Sequence, residues 1–126
     1  MSPEVSGFFD AHRDLLPLYA RLEEAISARH PDTRITVHKT QISFYGLRQF
    51  ACVSFLRPGR AKDFPGSFLT LSLGLPCPPE LPRAVSVPVR PGRYTVHISL
   101  YGPEDLTDAL LDLTDEAWAF AHRPAK

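Results

Sequence analysis

The spacing of apolar residues changes twice along the chain, from a helical repeat to alternation and back to a helical repeat. Between Leu15 and Ile26 apolar residues recur every three or four positions, which predicts an amphipathic helix. Proline lacks a backbone N–H and is tolerated in a first helical turn, so we place Pro17 there. The preceding residues 6–14 are expected to form a separate short helical turn that packs its phenylalanines beneath this helix.

Apolar and polar residues alternate through the middle of the chain, as expected for strands with one buried face. The alternating runs are residues 35–37, 42–45, 50–55, 69–75, 85–89 and 94–100. The phase shifts by one residue between the first two runs, so the backbone must turn or bulge near residues 38–40. Turns are predicted at residues 45–48 and 90–93, and a longer loop at residues 57–66.

A second amphipathic helix is predicted near the C-terminal end. The segment Gly102-Pro103-Glu104-Asp105 combines a helix breaker, a proline suited to the first turn and two acids that the helix dipole favours there. The apolar face of this helix comprises Leu106, Leu110, Leu113, Ala117 and Phe120. Because the strands are grouped between the two helices, we predict an α+β fold. Its antiparallel five- to six-stranded sheet would have the N-terminal and C-terminal helices packed on one face.

Length and composition agree with one small globular domain that covers residues 1–126. The chain has 126 residues, of which 44% are hydrophobic and 22% charged, which excludes a disordered or coiled-coil protein. Its two cysteines, Cys52 and Cys77, have no metal-ligand spacing, so we expect neither a metal nor another cofactor. The first residues lack the features of a signal peptide, and no apolar stretch reaches the ~18 residues of a membrane span. A cytoplasmic protein without a membrane partner is therefore expected.

A net charge of zero conceals an uneven distribution of charged residues. Six basic residues and no acid lie between Arg34 and Lys62, whereas six acids and no base lie between Glu104 and Glu116. If the helices cover one side of the sheet, the opposite side would carry positive potential that attracts a small anion or an acidic protein surface. The alternative interpretation is that basic turns only protect strand edges from pairing. The balanced charge and the lack of a recognisable motif do not favour nucleic acid as a partner.

Polar side chains on the predicted open face supply the candidate site. His97 shares a polar phase with its neighbours on the last strand, and Gln41 and Ser43 share one on an earlier strand. If these strands are neighbours, the imidazole, amide and hydroxyl groups would form one cluster, although a solvated sheet face has the same pattern. An imidazole can act as a general base near neutral pH, but the sequence supplies neither a nearby acid to orient it nor a catalytic motif.

Lys39 stands where the alternation of the first strand would direct its ammonium group into the core. Burying that charge is costly, so the backbone is expected to change phase there and redirect the side chain. A positioned lysine would contact an anion or a carbonyl group, whereas an ordinary turn lysine would contact only water.

The order of motifs along nearly the whole chain resembles that of a known family. The similarity is carried by Phe8-Phe9, residues 37–44 with their Lys-Thr-Gln core, Leu71-Ser72-Leu73-Gly74-Leu75, Pro91-Gly92-Arg93 and His97. These motifs resemble the bacterial domain of unknown function 5655, DUF5655. Where that family often has two histidines, this chain has Val96-His97, which argues against a two-histidine metal site. The resemblance implies a compact α+β domain, marks Lys39, Gln41 and His97 as positions of interest, and implies no substrate.

From these observations we predict a binding module whose basic, polar sheet face receives a small anionic ligand or an acidic partner. The candidate ligand-binding residues are Lys39, Gln41, Ser43, Arg48 and His97. One alternative is a small enzyme of hydrolase or isomerase type, with His97 as the base and Lys39 as the stabilising electrophile. Another is an assembly domain in which an edge strand pairs two chains, since the sequence leaves the oligomeric state, a dimer included, open.

Overall fold

Six antiparallel strands form one sheet, and α-helices cover one of its faces. The computed structural model describes residues 2–81 and 83–124. The strands are β1 (Arg34–Val37), β2 (Ile42–Tyr45), β3 (Gln49–Ser54), β4 (Leu69–Leu75), β5 (Ala84–Arg90) and β6 (Arg93–Leu100). Their order across the sheet is β1-β2-β3-β4-β6-β5, and every neighbouring pair is antiparallel. The helices are α1 (Pro3–Phe8), α2 (Leu16–Arg29) and α3 (Asp108–Ala121). The predicted α+β fold is confirmed.

Short 3₁₀ turns lie at residues 13–15, 61–63 and 103–105 between the longer elements. Residues 38–41 form the turn between β1 and β2, where the backbone N–H of His38 donates to the carbonyl of Gln41 at 2.8 Å. The phase change predicted near residues 38–40 is therefore a hairpin turn. Within the part of the chain that the structure describes, no helix has the length and apolar character needed to cross a bilayer.

The N-terminal helices begin where a proline fits the first turn. The Ser2 hydroxyl accepts a hydrogen bond from the Val5 backbone N–H at 3.3 Å, and Pro3 follows at the first helical position. This cap starts α1 at Pro3, earlier than the short turn predicted over residues 6–14. Pro17 lies in the first turn of α2, as predicted.

α3 begins at Asp108 and not at the predicted Pro103. The Thr107 hydroxyl caps the helix by accepting a hydrogen bond from the Leu110 N–H at 3.2 Å. The Asp105 carboxylate instead accepts from the backbone N–H groups of Tyr101 and Gly102, at 2.7 and 3.3 Å. These bonds fold residues 103–105 into a separate turn. The buried face of α3 comprises Leu110, Thr114, Ala117 and Ala121. Of the predicted apolar face, Leu110 and Ala117 are therefore buried, whereas Leu106, Leu113 and Phe120 are only half-buried.

The apolar core lies between one face of the sheet and the helices. Its central cross-strand rows are Val53, Leu71 and Ile98, and Phe44, Ala51, Leu73 and Val96. The ring of Tyr19 on α2 lies 6.3 Å from that of Phe44, centroid to centroid, and the ring of Trp118 on α3 lies 5.2 Å from that of Phe50. Both helices therefore cover the same face. Each fully buried leucine contributes about 1.5–3 kcal/mol through removal of apolar surface from water.

A charge cluster joins the end of α2 to the outer face of α3. The Arg29 guanidinium donates to Asp112 at 3.1 Å and to Asp115 at 2.7 Å. Asp115 also contacts the His30 imidazole at 2.7 Å, and Asp108 lies 4.0 Å from Arg29. Much of the acidic run noted in the sequence is therefore paired with the neighbouring helix.

Candidate functional site

The face of the sheet opposite the helices carries small polar side chains in two cross-strand rows. The first row is Thr36, Ser43, Cys52, Ser72, His97 and Val85, one residue from each strand. The second row includes Ser54, Thr70 and Ser99. We call this surface the hydroxyl face. Hydroxyl groups, a thiol and an imidazole supply its polar atoms, so neither row presents a lysine, an arginine or a carboxylate.

His97 belongs to a neutral hydrogen-bonded set on the hydroxyl face. Its Nδ1 atom lies 2.7 Å from the Ser72 hydroxyl oxygen. Burial lowers the pKa of His97 from its ordinary value of 6.5, so the imidazole is uncharged at neutral pH. Burial also raises the pKa of the adjacent Cys52 thiol, and a hydrogen bond with Ser72 offsets only part of that rise. A protonated thiol is a poor nucleophile and a poor metal ligand.

Gln41 and Ser43 contact each other but not His97. The Gln41 amide donates to the Ser43 hydroxyl at 2.8 Å. Both residues belong to the β2 side of the sheet, and β3 and β4 separate β2 from β6. Three strand spacings of about 4.8 Å place Ser43 roughly 14 Å from His97. The strands that carry these residues are therefore not neighbours, so the condition for one cluster is not met and the imidazole, amide and hydroxyl lie apart.

Lys39 lies exposed in the turn between β1 and β2, at the edge of the sheet far from β6. The hairpin turn directs the Lys39 ammonium group to solvent, so its charge is not buried. The structure does not bring Lys39 to His97, so this pair cannot share a substrate atom. Among residues 2–81 and 83–124, no three histidine, cysteine or acidic side chains are grouped to hold a metal ion.

Arg48 holds the β2–β3 turn against the end of α3. Its Nη1 atom donates to the carbonyl oxygens of Ala121 at 3.0 Å and Arg123 at 2.9 Å. These carbonyls lack partners within the helix, and a cation is favoured at the negative end of the helix dipole. The neighbouring Leu47 N–H donates to Nε2 of His122 at 3.0 Å. Gly46 makes this approach possible, because a Cβ atom there would overlap the His122 ring.

The positive charge predicted for the open face is displaced to the turns and the ends of the sheet. Lys39 and Arg48 occupy turns, and Arg34 lies on the edge strand β1 with its guanidinium carbon 5.8 Å from the centre of the Tyr45 ring. The prediction of a basic sheet face is therefore wrong in its central part. Strand alternation fixes which face a residue occupies, whereas turn residues project beyond the end of the sheet.

Four arginines meet in a cleft at the end of the sheet where β5 turns into β6. The cleft has a volume of about 600 Å³ and is lined by Arg48, Gln49, Gly74, Arg90, Pro91, Gly92, Arg93, Ala117, Phe120, Ala121, Arg123 and Pro124. We call it the arginine cleft. Its lining contains no carboxylate side chain. Within the described residues, none of its four guanidinium groups lies within 4.0 Å of a carboxylate.

The geometry of the cleft holds like charges together. Arg90 and Arg93 are directly opposite each other in the β5–β6 register, an arrangement that is destabilising for two like charges. The turn between them is Pro91-Gly92, in which Gly92 has φ of 77°, a conformation suited to glycine. The guanidinium carbons of Arg93 and Arg123 lie 5.6 and 5.1 Å from the centre of the Phe120 ring. Phe120 therefore positions two of the four cations.

Of the predicted ligand-binding residues, only Arg48 lines the arginine cleft. Arg90, Arg93 and Arg123 were not among the predicted ligand-binding residues, although the sequence argument placed Arg90 and Arg93 in a turn and counted both with the basic residues of the sheet and its turns. A signal was available, because two arginines that flank a two-residue Pro-Gly turn must stand opposite each other. No signal in the sequence joins this turn to Arg48 or to the end of α3.

Comparison with known proteins places the chain in a family. A family model described as a domain of unknown function, DUF5655, matches residues 5–121. The chain belongs to DUF5655. No curated protein and no solved structure matches it. The DUF5655 match includes all six strands, α2 and α3, and three of the four arginines of the cleft, whereas Arg123 lies beyond it.

Proposed function

We propose that this DUF5655 domain is a cytoplasmic binding module, without catalytic activity, that holds a small phosphate-bearing anion in the arginine cleft. The observation that carries the proposal is the placement of Arg48, Arg90, Arg93 and Arg123 around one concavity without a carboxylate among its lining side chains. An anion between these groups would relieve the repulsion between Arg90 and Arg93. The proposal keeps the anionic ligand predicted from the sequence and moves it from the sheet face to the end of the sheet.

Phosphate suits this donor set better than a single carboxylate does. Guanidinium groups bind phosphate oxygens through two parallel hydrogen bonds, and several of them can share one multiply charged anion. Hydrogen bonds to charged groups contribute about 1.5–3 kcal/mol each. Two or three such bonds would contribute about 3–9 kcal/mol, which corresponds to dissociation constants from roughly 6 mM to roughly 0.2 μM.

The carbonyl end of α3 does not repel the anion outright. The helix dipole places partial negative charge there, but Arg48 already donates to the carbonyls of Ala121 and Arg123. Arg48 therefore has a structural role that an uncharged residue would not fill, and Arg93 is the better residue for a test. Arg93 is half-buried against Phe120 and forms no ion pair within the described part of the chain.

Titration calorimetry with pyrophosphate tests the proposal. We expect the wild-type domain to bind pyrophosphate with an affinity that falls as salt concentration rises, because counterions screen exposed charges. Arg93→Gln should weaken binding at least tenfold. The matched control is Arg21→Gln, which removes the same charge from an exposed position on α2 and should leave the affinity unchanged.

Thermal denaturation provides a second measurement on the same variants. A ligand at about one hundred times its dissociation constant stabilises the folded state by about 2.7 kcal/mol. Pyrophosphate should therefore raise the melting temperature of the wild-type and Arg21→Gln proteins more than that of Arg93→Gln. Equal effects of the two substitutions, or no binding to the wild type, would refute the proposal.

A further inference from the structure

A second cleft lies at the opposite end of β6 and differs from the arginine cleft in its chemistry. Its volume is about 680 Å³, within the range of small-molecule sites. It is lined by Asp63, Phe64, Pro65, Arg83, Ala84, Val85, Ser99, Tyr101, Glu104 and Asp105. The loop after β3, the start of β5 with the preceding Arg83, the end of β6 and the segment after β6 supply these residues. We call it the mixed-charge cleft.

Ser99 gives this cleft a buried polar group without a partner. Only 3% of the residue is exposed, and its hydroxyl oxygen has no hydrogen-bond partner within the described residues. Ser99 lies on β6 and Tyr101 directly follows that strand. Because they are two positions apart, both are placed on the side of the hydroxyl face. An unpaired buried hydroxyl costs about 1–3 kcal/mol, and a ligand atom that bonded to it would remove that penalty.

Charges of both signs line the cleft without contacting each other. The Arg83 guanidinium carbon lies 5.2 Å from the centre of the Tyr101 ring, and within the described residues the group has no carboxylate within 4.0 Å. The exposed carboxylates of Asp63 and Glu104 likewise have no cation within that distance in the part of the chain described. Asp105 differs, since its carboxylate is already bound by backbone N–H groups.

The orientation of Arg83 is supported from below by packed aromatic rings. The ring centroid of Tyr101 lies 5.3 Å from that of Phe68, and Phe68 lies 6.1 Å from Phe64. The Arg83 guanidinium therefore rests on an aromatic ring that is itself held in place by other rings. The apolar surfaces of Phe64, Pro65 and Val85 line the same cleft.

We infer that the mixed-charge cleft binds a small zwitterion of the α-amino acid class with an apolar side chain. The ligand carboxylate would pair with Arg83, and its ammonium group would donate to Ser99 and to the carboxylate of Glu104 or Asp63. The apolar side chain would contact Phe64, Pro65 and Val85. A simple anion fits this cleft poorly, because the carboxylates would repel it, and a simple cation would leave Arg83 unpaired.

Calorimetry with L-phenylalanine and its two blocked derivatives tests this inference. We expect binding of L-phenylalanine and at least tenfold weaker binding of N-acetyl-L-phenylalanine, which lacks the ammonium group, and of L-phenylalaninamide, which lacks the carboxylate. Arg83→Gln should weaken binding of L-phenylalanine at least tenfold and leave the weak binding of L-phenylalaninamide unchanged. The double variant Asp63→Asn/Glu104→Gln removes both carboxylates that could pair with the ammonium group. It should weaken binding of L-phenylalanine at least tenfold and leave the weak binding of the N-acetyl derivative unchanged.

Ser99→Ala separates a binding role from a structural one. Removing an unpaired buried hydroxyl should leave the melting temperature of the free protein unchanged or raise it. The same substitution should weaken L-phenylalanine binding at least tenfold. A folded variant that binds as tightly as the wild type would overturn the role of Ser99.

The two clefts are tested independently. Arg93→Gln should leave L-phenylalanine binding unchanged, and Arg83→Gln should leave pyrophosphate binding unchanged. Absence of L-phenylalanine binding, or equal binding of the free and blocked forms, would refute the zwitterion site whatever the result with pyrophosphate.

Discussion

His97 illustrates how the surroundings of one residue decide its chemistry. Its imidazole bonds to Ser72 at 2.7 Å, and its row neighbours are a serine and a valine. Neither neighbour supplies the charge that would hold an imidazolium ion. A base in such surroundings is a structural hydrogen-bonding group at neutral pH and a source of instability when it becomes protonated.

The pH dependence of stability should therefore contain a contribution from His97. Its pKa is lower in the folded state than its ordinary 6.5, so the unfolded state binds more protons once the pH falls below that value. The contribution of His97 to stability is fully present above its ordinary pKa and is lost as the pH falls through its pKa in the folded state. Urea denaturation between about pH 8 and about pH 5 should show a smaller loss for His97→Asn than for the wild type.

The control for this experiment is His38→Asn, which removes an exposed imidazole from the β1–β2 turn. We expect its profile to run parallel to that of the wild type. Parallel profiles for His97→Asn and the wild type would contradict the pKa assignment for His97.

Three arginines of this chain, Arg29, Arg48 and Arg93, have different roles because they have different contacts. Arg29 is bound by carboxylates, Arg48 by helix carbonyls, and Arg93 lies on an aromatic ring with no ion pair among the described residues. The sequence presents all three as equal positive charges. Their difference arises from partners far away in the chain, and so the charge pattern alone did not show that Arg48, Arg90, Arg93 and Arg123 meet in the arginine cleft.

At the scale of elements, the type and order of the main helices and strands followed from the sequence, whereas the starts of α1 and α3 did not. Alternation of apolar residues located every strand, and helical spacing located α2 and α3. The start of α3 was predicted at Pro103 because two acids follow that proline. Thr107 caps the helix instead. The Asp105 carboxylate is not available for the first turn of α3, because it accepts hydrogen bonds from the backbone of Tyr101 and Gly102.

Where α2 meets α3, Arg29 lies among three aspartates. Hydrogen bonds to Asp112 and Asp115 raise the pKa of Arg29, which is thus a permanent cation in this cluster. Without it, Asp108, Asp112 and Asp115 would repel one another along one face of α3.

Arg29→Gln should lower the melting temperature, with a loss that depends on salt. Screening extends over about 30 Å at about 0.01 M salt and about 3 Å at about 1 M, so the loss should be larger at low salt. Arg21→Gln, on the same helix without an ion pair among the described residues, is the control and should change little. A loss that is equal at both salt concentrations would show that packing, and not charge, carries the effect of Arg29.

At the scale of the whole molecule, the strand order creates the two clefts. β4 pairs with β6, and β5 is left at the edge, so the β5–β6 turn lies beside the end of α3. Arg48, residues 90–93 and Arg123 come together only through this order. Hydrophobic alternation predicts which residues share a face of a strand but not which strands are neighbours, and the arginine cleft could therefore not be predicted.

The one-sided core makes a final prediction about the molecule as a whole. Leu71 on β4 is fully buried against the helices, whereas Thr95 on β6 is half-buried on the hydroxyl face. Leu71→Ala should cost about 2–5 kcal/mol, because it leaves a cavity in the apolar layer. Thr95→Ala should cost less than about 1 kcal/mol in urea denaturation, because it removes little packing and only part of the strand propensity. Similar losses for the two variants would mean that Thr95 is packed as closely on the hydroxyl face as Leu71 is in the core, which contradicts its half-buried position.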